Sequence, residues 1–399
     1  MILNAVAIPQ ALRGFASDAA AFDVTLNGPH ITHIRPSAQA ATGTLVSAFV
    51  DAHVHLDKTH TVQAVGATEG DLFAAIERMA AHRAGWTATD LHTRITRALQ
   101  QAYTCGTRAM RTHLDWVERD KPVSIAVFEA LRDEWAGRVD LQCVSLTPLD
   151  LFEDAFDGED IALEVARLNR DQPAERQALL GAFVYRNERT YDKLQRVFDL
   201  AIKNSLHLDF HVDEGLDFDA CGLQAIAQLT VKNNWQGKVS CGHACSLAMQ
   251  SESNAASALL DTAQAAIYLI ALPTTNLYLQ GAWNRTPVER GITRLREAAA
   301  HRVVTCIATD NVADGFYPYG SYDLLETFGL GVQVAHLSPA GHWLSTITTG
   351  PARALGLPWD GRIAEGCPAD LVLLAARNDY ELLTPAGRQR TVIRNGQPL

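Results

Sequence analysis

Short apolar runs rich in β-type residues alternate with longer segments of helical periodicity through most of this chain. Strands usually last about five or six residues and helices ten or more, so the length of a run separates the two patterns. The apolar runs predict eight strands, at residues 45–54, 107–113, 139–146, 179–184, 206–212, 237–243, 265–272 and 303–309. The helical patterns lie between them.

Two of the intervening segments carry a stripe of apolar side chains at a spacing of 3.6 residues. The stripe in residues 71–82 consists of Leu72, Phe73, Ile76 and Met79, and that in residues 191–203 of Leu194, Val197, Phe198 and Ala201. Such stripes usually face a core, and we interpret both in this way. Strand–helix alternation repeated eight times over about 300 residues predicts an α/β fold, a (β/α)8 TIM-type barrel.

The two ends of the chain have a different pattern, with short β-type runs separated by turn residues. These runs cover residues 2–8, 22–26 and 30–34 and parts of 361–374 and 391–396. Asn27-Gly28 between two β-rich runs is a strong hairpin signal. We expect residues 1–48 and 358–399 to form one small β-sandwich domain beside a catalytic barrel domain of residues 49–357.

Composition and charge exclude several classes of protein. Apolar residues make up 47% and charged residues 20% of the chain, which is ordinary for a globular protein. A net charge of -11 argues against nucleic acid and anionic membranes as partners, because both require a basic surface. Since no secretory leader or apolar span is recognisable, we expect a cytoplasmic protein.

The seven cysteines predict buried, reduced thiols rather than a disulfide framework. Their number is odd, and several lie inside apolar strand-like runs, as Cys306 does. Cys241-Gly242-His243-Ala244-Cys245 has some likeness to part of a zinc finger. No second Cys/His pair at the required spacing completes it.

Polar residues at the ends of predicted strands indicate where the chemistry lies. His53 and His55 are two residues apart on one strand, so both project to the same face. Other predicted strands end in His211, His243 and Asp310. In a (β/α)8 barrel the carboxyl ends of the strands meet at one face, which carries the active site.

Together these residues predict a catalytic metal centre. His53, His55 and His211 supply three imidazoles and Asp310 a carboxylate, a set that suits one divalent ion, either zinc or ferrous iron. Such an ion lowers the pKa of bound water, which makes hydroxide available at neutral pH. Three residues beyond His211, Glu214 is placed to carry a proton to a leaving nitrogen.

Three further residues have narrower interpretations. His243 can steady an oxyanion or polarise a carbonyl. His113 ends the second predicted strand, and we interpret it as a structural histidine. For Asp115, just beyond it, we expect the role of cap of the next helix.

At this point the chain resembles the amidohydrolase superfamily and, within it, the bacterial cytosine deaminase group. The similar stretches are FVDAHVHLD at 49–57, RTHLD at 111–115, HVDE at 211–214, residues 72–78, 276–281, 290–294, 310–311 with 317–318, and the C-terminal 369–372 and 393–396. The resemblance implies a mononuclear site with His53, His55, His211 and Asp310 as ligands. It also implies that Glu214 is the proton shuttle and that His243 lies beside the substrate or water.

The resemblance further implies which residues line the base pocket, and there this chain departs from the group. Leu72, Asn311 and Phe316 would line that pocket. Cytosine deaminases have a second Asp where this chain has Asn311, a Trp near Phe316, and a Gln beyond the third strand, where Pro148 lies here. The fourth predicted strand ends without the Lys that binuclear relatives carboxylate.

We therefore expect a metal-dependent hydrolytic deaminase that acts on a small cytosine-like amino-heterocycle. Metal-bound hydroxide would attack the amine-bearing ring carbon, and ammonia would leave. Other rings, such as aminotriazines or N-substituted amino-heterocycles, and cyclic amides stay open as substrates. A non-catalytic ligand-binding barrel is an alternative of another class, and homo-oligomer formation is open as well.

Overall fold

The computed structural model describes residues 1–153 and 155–399, whose strands form two sheets. The strands, in chain order, are β1 (Ile2–Ala7), β2 (Phe22–Asn27), β3 (His30–Pro36), β4 (Gly43–Ser47), β5 (Phe49–Val54), β6 (Thr107–Asp115), β7 (Asp140–Pro148), β8 (Leu179–Val184), β9 (Leu208–Val212), β10 (Val239–His243), β11 (Tyr268–Ala271), β12 (Val304–Ile307), β13 (Leu371–Leu374), β14 (Arg390–Arg394) and β15 (Gln397–Pro398).

The α-helices lie mainly between the strands of the larger sheet. They are α1 (Val62–Val65), α2 (Leu72–Arg83), α3 (Ala88–Cys105), α4 (Val123–Glu134), α5 (Ala155–Leu168), α6 (Thr190–Lys203), α7 (Gly222–Lys232), α8 (Glu252–Gln264), α9 (Pro273–Leu279), α10 (Leu295–Ala300), α11 (Leu324–Val334), α12 (Ala340–Trp343) and α13 (Thr349–Ala354). Within the described residues, no helix combines the length and apolar character needed to cross a bilayer.

Strands β5 to β12 form the predicted (β/α)8 barrel. They pair in chain order, each parallel to its neighbours, in an eight-stranded sheet. A parallel bridge between Val54 and Asp310 joins the last strand to the first. Each of the eight predicted runs overlaps one barrel strand, with β6 and β7 each ending two residues later than predicted, so the predicted fold class is confirmed.

The prediction of a single strand over residues 45–54 is wrong, because the chain changes sheets at Ala48. The Ala48 N–H donates to the carbonyl of Asp370 in the terminal sheet, and the Phe49 N–H donates to that of Gly106 beside β6. Every residue from 45 to 54 is buried. Burial therefore continues through the change of sheet, and no exposed position marks it.

The two ends of the chain form one seven-stranded sheet, as expected, in the order β15-β14-β13-β4-β1-β2-β3. β4 pairs with both β1 and β13, which joins the N-terminal strands to the C-terminal ones. The predicted hairpin connects β2 to β3 through Gly28 and Pro29, with Gly28 at φ 55°. We propose domain boundaries after residues 48 and 357.

The two apolar stripes have different environments. In α6, Leu194, Val197, Phe198 and Ala201 are all buried in the core, as predicted. In α2 the interpretation is confirmed in part: Leu72 and Met79 are buried in a small hydrophobic cluster, and Ile76 packs against it. These three residues also line a cleft at the mouth of the barrel, and Phe73 is 39% exposed.

Candidate active site

Four side chains predicted to bind a metal converge at the carboxyl end of the barrel. Nε2 of His211 lies 3.2 Å from Nε2 of His53 and 3.2 Å from Nε2 of His55. Oδ1 of Asp310 lies 3.6 Å from Nε2 of His53 and 3.3 Å from Nε2 of His55. Four donor atoms thus face one point, from His53 in β5, His55 just beyond it, His211 in β9 and Asp310 three residues beyond β12.

The backbone holds these groups at fixed positions. The Asp310 N–H donates to the carbonyl of His53 at 2.9 Å, which ties the two ends of the barrel sheet together. On β10, a Cβ at Gly242 would lie 2.8 Å from Cε1 of His53, so only glycine lets the ring approach so closely. Asp310 and His243 have φ values of 64° and 72°, unusual for non-glycine residues and often found at functional sites.

The buried polar atoms at this point fit a bound cation. His53, His55 and His211 are almost completely buried, and burial, followed by neighbouring charged groups, lowers the pKa of each well below 6.5. Neutral imidazoles cannot all satisfy one another through three facing Nε2 atoms. Among the described residues, neither carboxylate oxygen of buried Asp310 has a hydrogen-bond partner. A divalent ion would satisfy all four groups.

Glu214 and His243 lie beside this cluster. Oε1 of Glu214 is 3.3 Å from Nδ1 of His243, and Nδ2 of Asn276 is 3.0 Å from the same nitrogen. Burial, together with the charge of Asp310, raises the pKa of Glu214 well above 4.5, and Lys58 opposes this. Burial also lowers the pKa of His243 to about 4. A carboxyl whose pKa is raised by burial thus lies next to an imidazole whose pKa is lowered by burial.

A buried ion-pair cluster that was not predicted forms one wall of the site. Nζ of Lys58 lies 2.6 Å from Oδ1 of Asp115 and 3.0 Å from Nδ1 of His55. Nη1 of Arg83, on α2, lies 2.7 Å from the other oxygen of Asp115. Burial alone would lower the pKa of Lys58, but Asp115 and Asp57 outweigh it and raise this pKa.

The expectation that Asp115 caps the next helix is wrong. The residue preceding α4 is Pro122, and the carboxylate of Asp115 is occupied by two cations. Two signals could have found the cluster. Lys58 directly follows the histidine motif, and Asp115 shares a strand end with His113.

His113 contacts the candidate metal site without contributing to its donor set. Its ring stacks on His53 with centroids 3.8 Å apart, and its Nε2 lies 3.2 Å from Oδ1 of Asp209. The second oxygen of Asp209 accepts from Nη1 of Arg111 at 2.8 Å. This arrangement suits the structural interpretation of His113, with the addition that it supports a candidate ligand.

A cleft of roughly 680 Å³, open mouth included, leads from the metal-ligand cluster to the surface. The three residues expected to line a base pocket, Leu72, Asn311 and Phe316, all line it. Pro148 also lies in the wall and offers no side-chain hydrogen bond. The remaining lining has an apolar part and a polar part. The apolar part consists of Ile76, Met79, Val117, Leu146 and Phe183, and the polar part of the Lys58–Asp115–Arg83 cluster, His55, His211, Glu214 and His243.

Comparison with known proteins identifies the family. The profile of the amidohydrolase family matches residues 144–399. Pterin deaminase of Rhizobium rhizogenes is 39% identical over 364 residues, which cover 90% of this chain and 81% of that protein. N-isopropylammelide isopropyl amidohydrolase of a Pseudomonas species is 25% identical over 396 residues, covering 94% of this chain and 93% of that protein.

Solved structures agree with this relationship. The crystal structure of 5-methylcytosine deaminase from Klebsiella pneumoniae, liganded with phosphonocytosine, has a TM-score of 0.84 and 25% identity. The match covers 100% of this chain and 98% of that one. The resemblance inferred from the motifs at strand ends is therefore confirmed, and the chain belongs to the amidohydrolase family.

Proposed function

We propose that this chain is a metal-dependent deaminase that hydrolyses the exocyclic amine of an amino-oxo-pyrimidine ring, with pterins as the first candidate substrates. The observation that carries the proposal is the convergence of His53, His55, His211 and Asp310 on one point at the base of a cleft. The relative that is 39% identical, a pterin deaminase, supports the choice of ring.

The same four side chains would hold one divalent ion. Three imidazoles and a carboxylate suit zinc and ferrous iron alike. When bound, such an ion activates a water molecule for attack on carbon at neutral pH. The fourth barrel strand ends in Phe183 and Val184 without a lysine for carboxylation, which supports one ion rather than two.

Glu214 is proposed to hold and deliver the proton that the reaction requires. Burial raises the pKa of Glu214, which favours its protonated form, and a protonated carboxyl can give its proton to a ring nitrogen as the ring carbon becomes tetrahedral. Asp310 is proposed to accept the proton of the attacking water and then to pass it to the amine, which leaves as ammonia. The hydroxyl proton of the tetrahedral carbon returns to Glu214 as the ring becomes a planar oxo compound.

His243 is proposed to stabilise the developing oxygen charge. With Nδ2 of Asn276 donating to its Nδ1, the ring proton lies on Nε2. That Nε2 is buried and has no hydrogen-bond partner among the described residues. It is free to donate to a substrate or water oxygen.

The cleft is suited to a flat ring larger than a single pyrimidine. Ile76, Met79 and Phe316 supply apolar surface against which a ring can stack. Pro148 occupies the position at which the resemblance to cytosine deaminases implies a hydrogen-bonding Gln. A site without that group loses a source of discrimination for cytosine itself.

Cytosine or a 5-substituted cytosine is the second candidate. It is favoured by the TM-score of 0.84 to the structure of a 5-methylcytosine deaminase. An N-substituted aminotriazine is a weaker alternative, supported by the relative at 25% identity. We also propose a cytoplasmic location, which the seven cysteines support because none forms a disulfide.

The test is ammonia release from pterin, cytosine, 5-methylcytosine and aminotriazines by protein reconstituted separately with zinc and with ferrous iron. Glu214→Gln should lower kcat on the active substrate by about 10²–10⁴-fold. Glu77→Gln, the same change on the exposed face of α2, is the matched control and should leave kcat unaltered. Turnover of cytosine but not of pterin would identify cytosine as the substrate and would leave the proposed deamination unchanged. Metal binding without turnover of any ring would favour a non-catalytic barrel.

A further inference from the structure

A buried carboxylate organises the turn that follows the last barrel strand. Oδ1 of Asp314 accepts from the backbone N–H groups of Phe316 at 2.9 Å and Tyr317 at 3.0 Å. Its Oδ2 accepts from Nδ2 of Asn311 at 2.7 Å. Asp314 is fully buried and does not line the cleft, whereas both Asn311 and Phe316 do. One carboxylate therefore holds two cleft residues.

This contact determines which end of the Asn311 amide faces the cleft. Burial raises the pKa of Asp314 to about 7, so at pH 7.5 this side chain is mainly an ionised carboxylate. An ionised carboxylate only accepts hydrogen bonds, so the amide must turn its NH₂ group toward Asp314. The carbonyl oxygen Oδ1 then points away from that carboxylate. Among residues 1–153 and 155–399, no donor reaches this oxygen. The cleft thus presents a fixed acceptor next to the ring of Phe316.

Rotation of the amide would carry a clear penalty. It would place Oδ1 of Asn311 against Oδ2 of Asp314 and remove a hydrogen bond to a charged group in a buried site. Among the described residues, Asn311 is the one side-chain donor to this carboxylate, and the other two donors are backbone N–H groups on its second oxygen. The orientation of Asn311 therefore depends on the chemistry of Asp314.

We propose that Asp314 is a positioning residue that makes Asn311 a fixed hydrogen-bond acceptor, and thereby selects rings that present an N–H donor at that edge. The inference rests on the proposed function, since it concerns the same cleft. A 2-amino-4-oxo ring has an N–H between its amine and oxo groups, as pterin does. The corresponding 2,4-diamino ring has a nitrogen without a hydrogen at that position. This nitrogen and Oδ1 of Asn311 are both acceptors, so they cannot form a hydrogen bond with each other.

Asp314→Asn should reverse the polarity presented to the cleft. The new amide keeps its oxygen for the two backbone N–H groups and turns its NH₂ toward Asn311. Asn311 must then rotate to accept, which points its own NH₂ into the cleft. Adding Asn311→Asp restores an acceptor, because the new carboxylate accepts from the amide at position 314 with one oxygen and presents the other.

The experiment compares the binding of pterin and 2,4-diaminopteridine by fluorescence quenching at pH 7.5. Zinc-reconstituted Glu214→Gln protein serves as the background, so that turnover does not interfere. Pterin should bind at least about tenfold more tightly to this background, which corresponds to about 1.4 kcal/mol. Adding Asp314→Asn should reverse the preference, and adding Asn311→Asp as well should restore it. Thermal unfolding of each variant checks that the fold is retained.

Each outcome separates this inference from the proposed reaction. A preference that stays within about twofold in all three proteins would overturn the inference, since one hydrogen bond between fixed groups contributes more. Loss of preference in Asp314→Asn that Asn311→Asp does not restore would also overturn it, and would indicate a collapsed turn. Reversal and restoration without pterin turnover by the wild type would sustain the inference and exclude pterin as the substrate of the reaction. Failure of both rings to bind would overturn the inference and exclude pterins as substrates, and the ammonia-release test on cytosine would then decide the reaction by itself.

Discussion

The imidazole of His113 lies face to face with that of His53, with ring centroids 3.8 Å apart and planes inclined by 29°. Behind it, Asp209 contacts both His113 and Arg111, at 3.2 Å and 2.8 Å. Burial alone would raise the pKa of Asp209, but His113 and Arg111 outweigh it and lower this pKa. His113, Asp209 and Arg111 thus pack one behind another and support the proposed metal ligand His53 from the barrel interior.

His113→Ala should weaken metal binding by about 10–100-fold, as is typical when a group that supports a metal ligand is lost. The substitution removes the surface against which the His53 ring rests, so the ring can tilt away from the other donors. Competition with a chromophoric chelator measures the affinity. His113→Phe keeps a flat ring at that position and should lose less. Equal affinities for the wild type and His113→Ala would show that His53 does not need this support.

Metal binding should raise the unfolding temperature through His211. An ion that binds only the folded chain stabilises it by about 2.7 kcal/mol at a concentration 100 times its Kd. Zinc or ferrous iron should therefore shift the transition of the wild type, and His211→Ala should lose most of the shift. His207→Ala, an exposed position before the same strand β9, is the control and should keep it. An unchanged shift in His211→Ala would refute the ligand assignment.

Arg111→Met should destabilise the protein by about 3–5 kcal/mol, because it leaves a buried charge without its partner. Arg111 is buried and donates from Nε to Gln142, from Nη1 to Asp209 and Ser240, and from Nη2 to the carbonyl of Ala354. Methionine fills a similar volume, so the cost reports the lost ion pair and hydrogen bonds. The midpoint of urea denaturation measures the effect.

Arg377→Met provides the matched control for that measurement. Arg377 pairs with Glu381 at 3.0 Å, but its side chain is 64% exposed. Exposed ion pairs usually contribute between 0 and about 1 kcal/mol. A similar loss in both variants would mean that the buried network around Asp209 contributes nothing beyond a surface pair.

The architecture was predictable because burial on both faces makes the barrel strands continuous apolar runs. Each run then ends where polar residues reach the mouth of the barrel, as at His211 and His243. The same property concealed the change of sheet at Ala48, since strands β4 and β5 are both fully buried. Hydrophobic periodicity separates buried from exposed residues, but it does not show which of two sheets a buried strand joins.

The candidate donor set was predictable from strand ends, but the wall beside it was not. His53, His55, His211 and Asp310 each follow an apolar run, and topology alone brings them together. Lys58 and Asp115 meet at the carboxyl ends of neighbouring strands β5 and β6, whereas Arg83 joins them only because α2 covers the barrel mouth. The apolar stripe of that helix packs in a small buried cluster and at the same time lines the cleft. Helical periodicity shows that a face is apolar without showing what it covers.

Asp314 should make the stability of the protein decrease with rising pH, and Asp314→Asn should remove that dependence. Burial raises the pKa of Asp314 from 3.8 to about 7, against opposing hydrogen bonds from Tyr317, Asn311 and Phe316. Between these two pH values the folded protein keeps a proton that the unfolded chain has released. The folded state therefore loses stability as pH rises through this range, and loses no more above it.

The neutral amide of Asp314→Asn does not titrate, so the stability of the variant relative to the wild type should increase from pH 5 to about 7. Above pH 8 the difference in unfolding free energy between the variant and the wild type should be constant. Urea denaturation of both proteins at pH 5, 6, 7 and 8, with a chelator present, measures it. All other titrating groups cancel in the difference. A difference that is flat or decreases across this range would mean that Asp314 is ionised in the folded protein even at pH 5, with its three N–H donors outweighing burial.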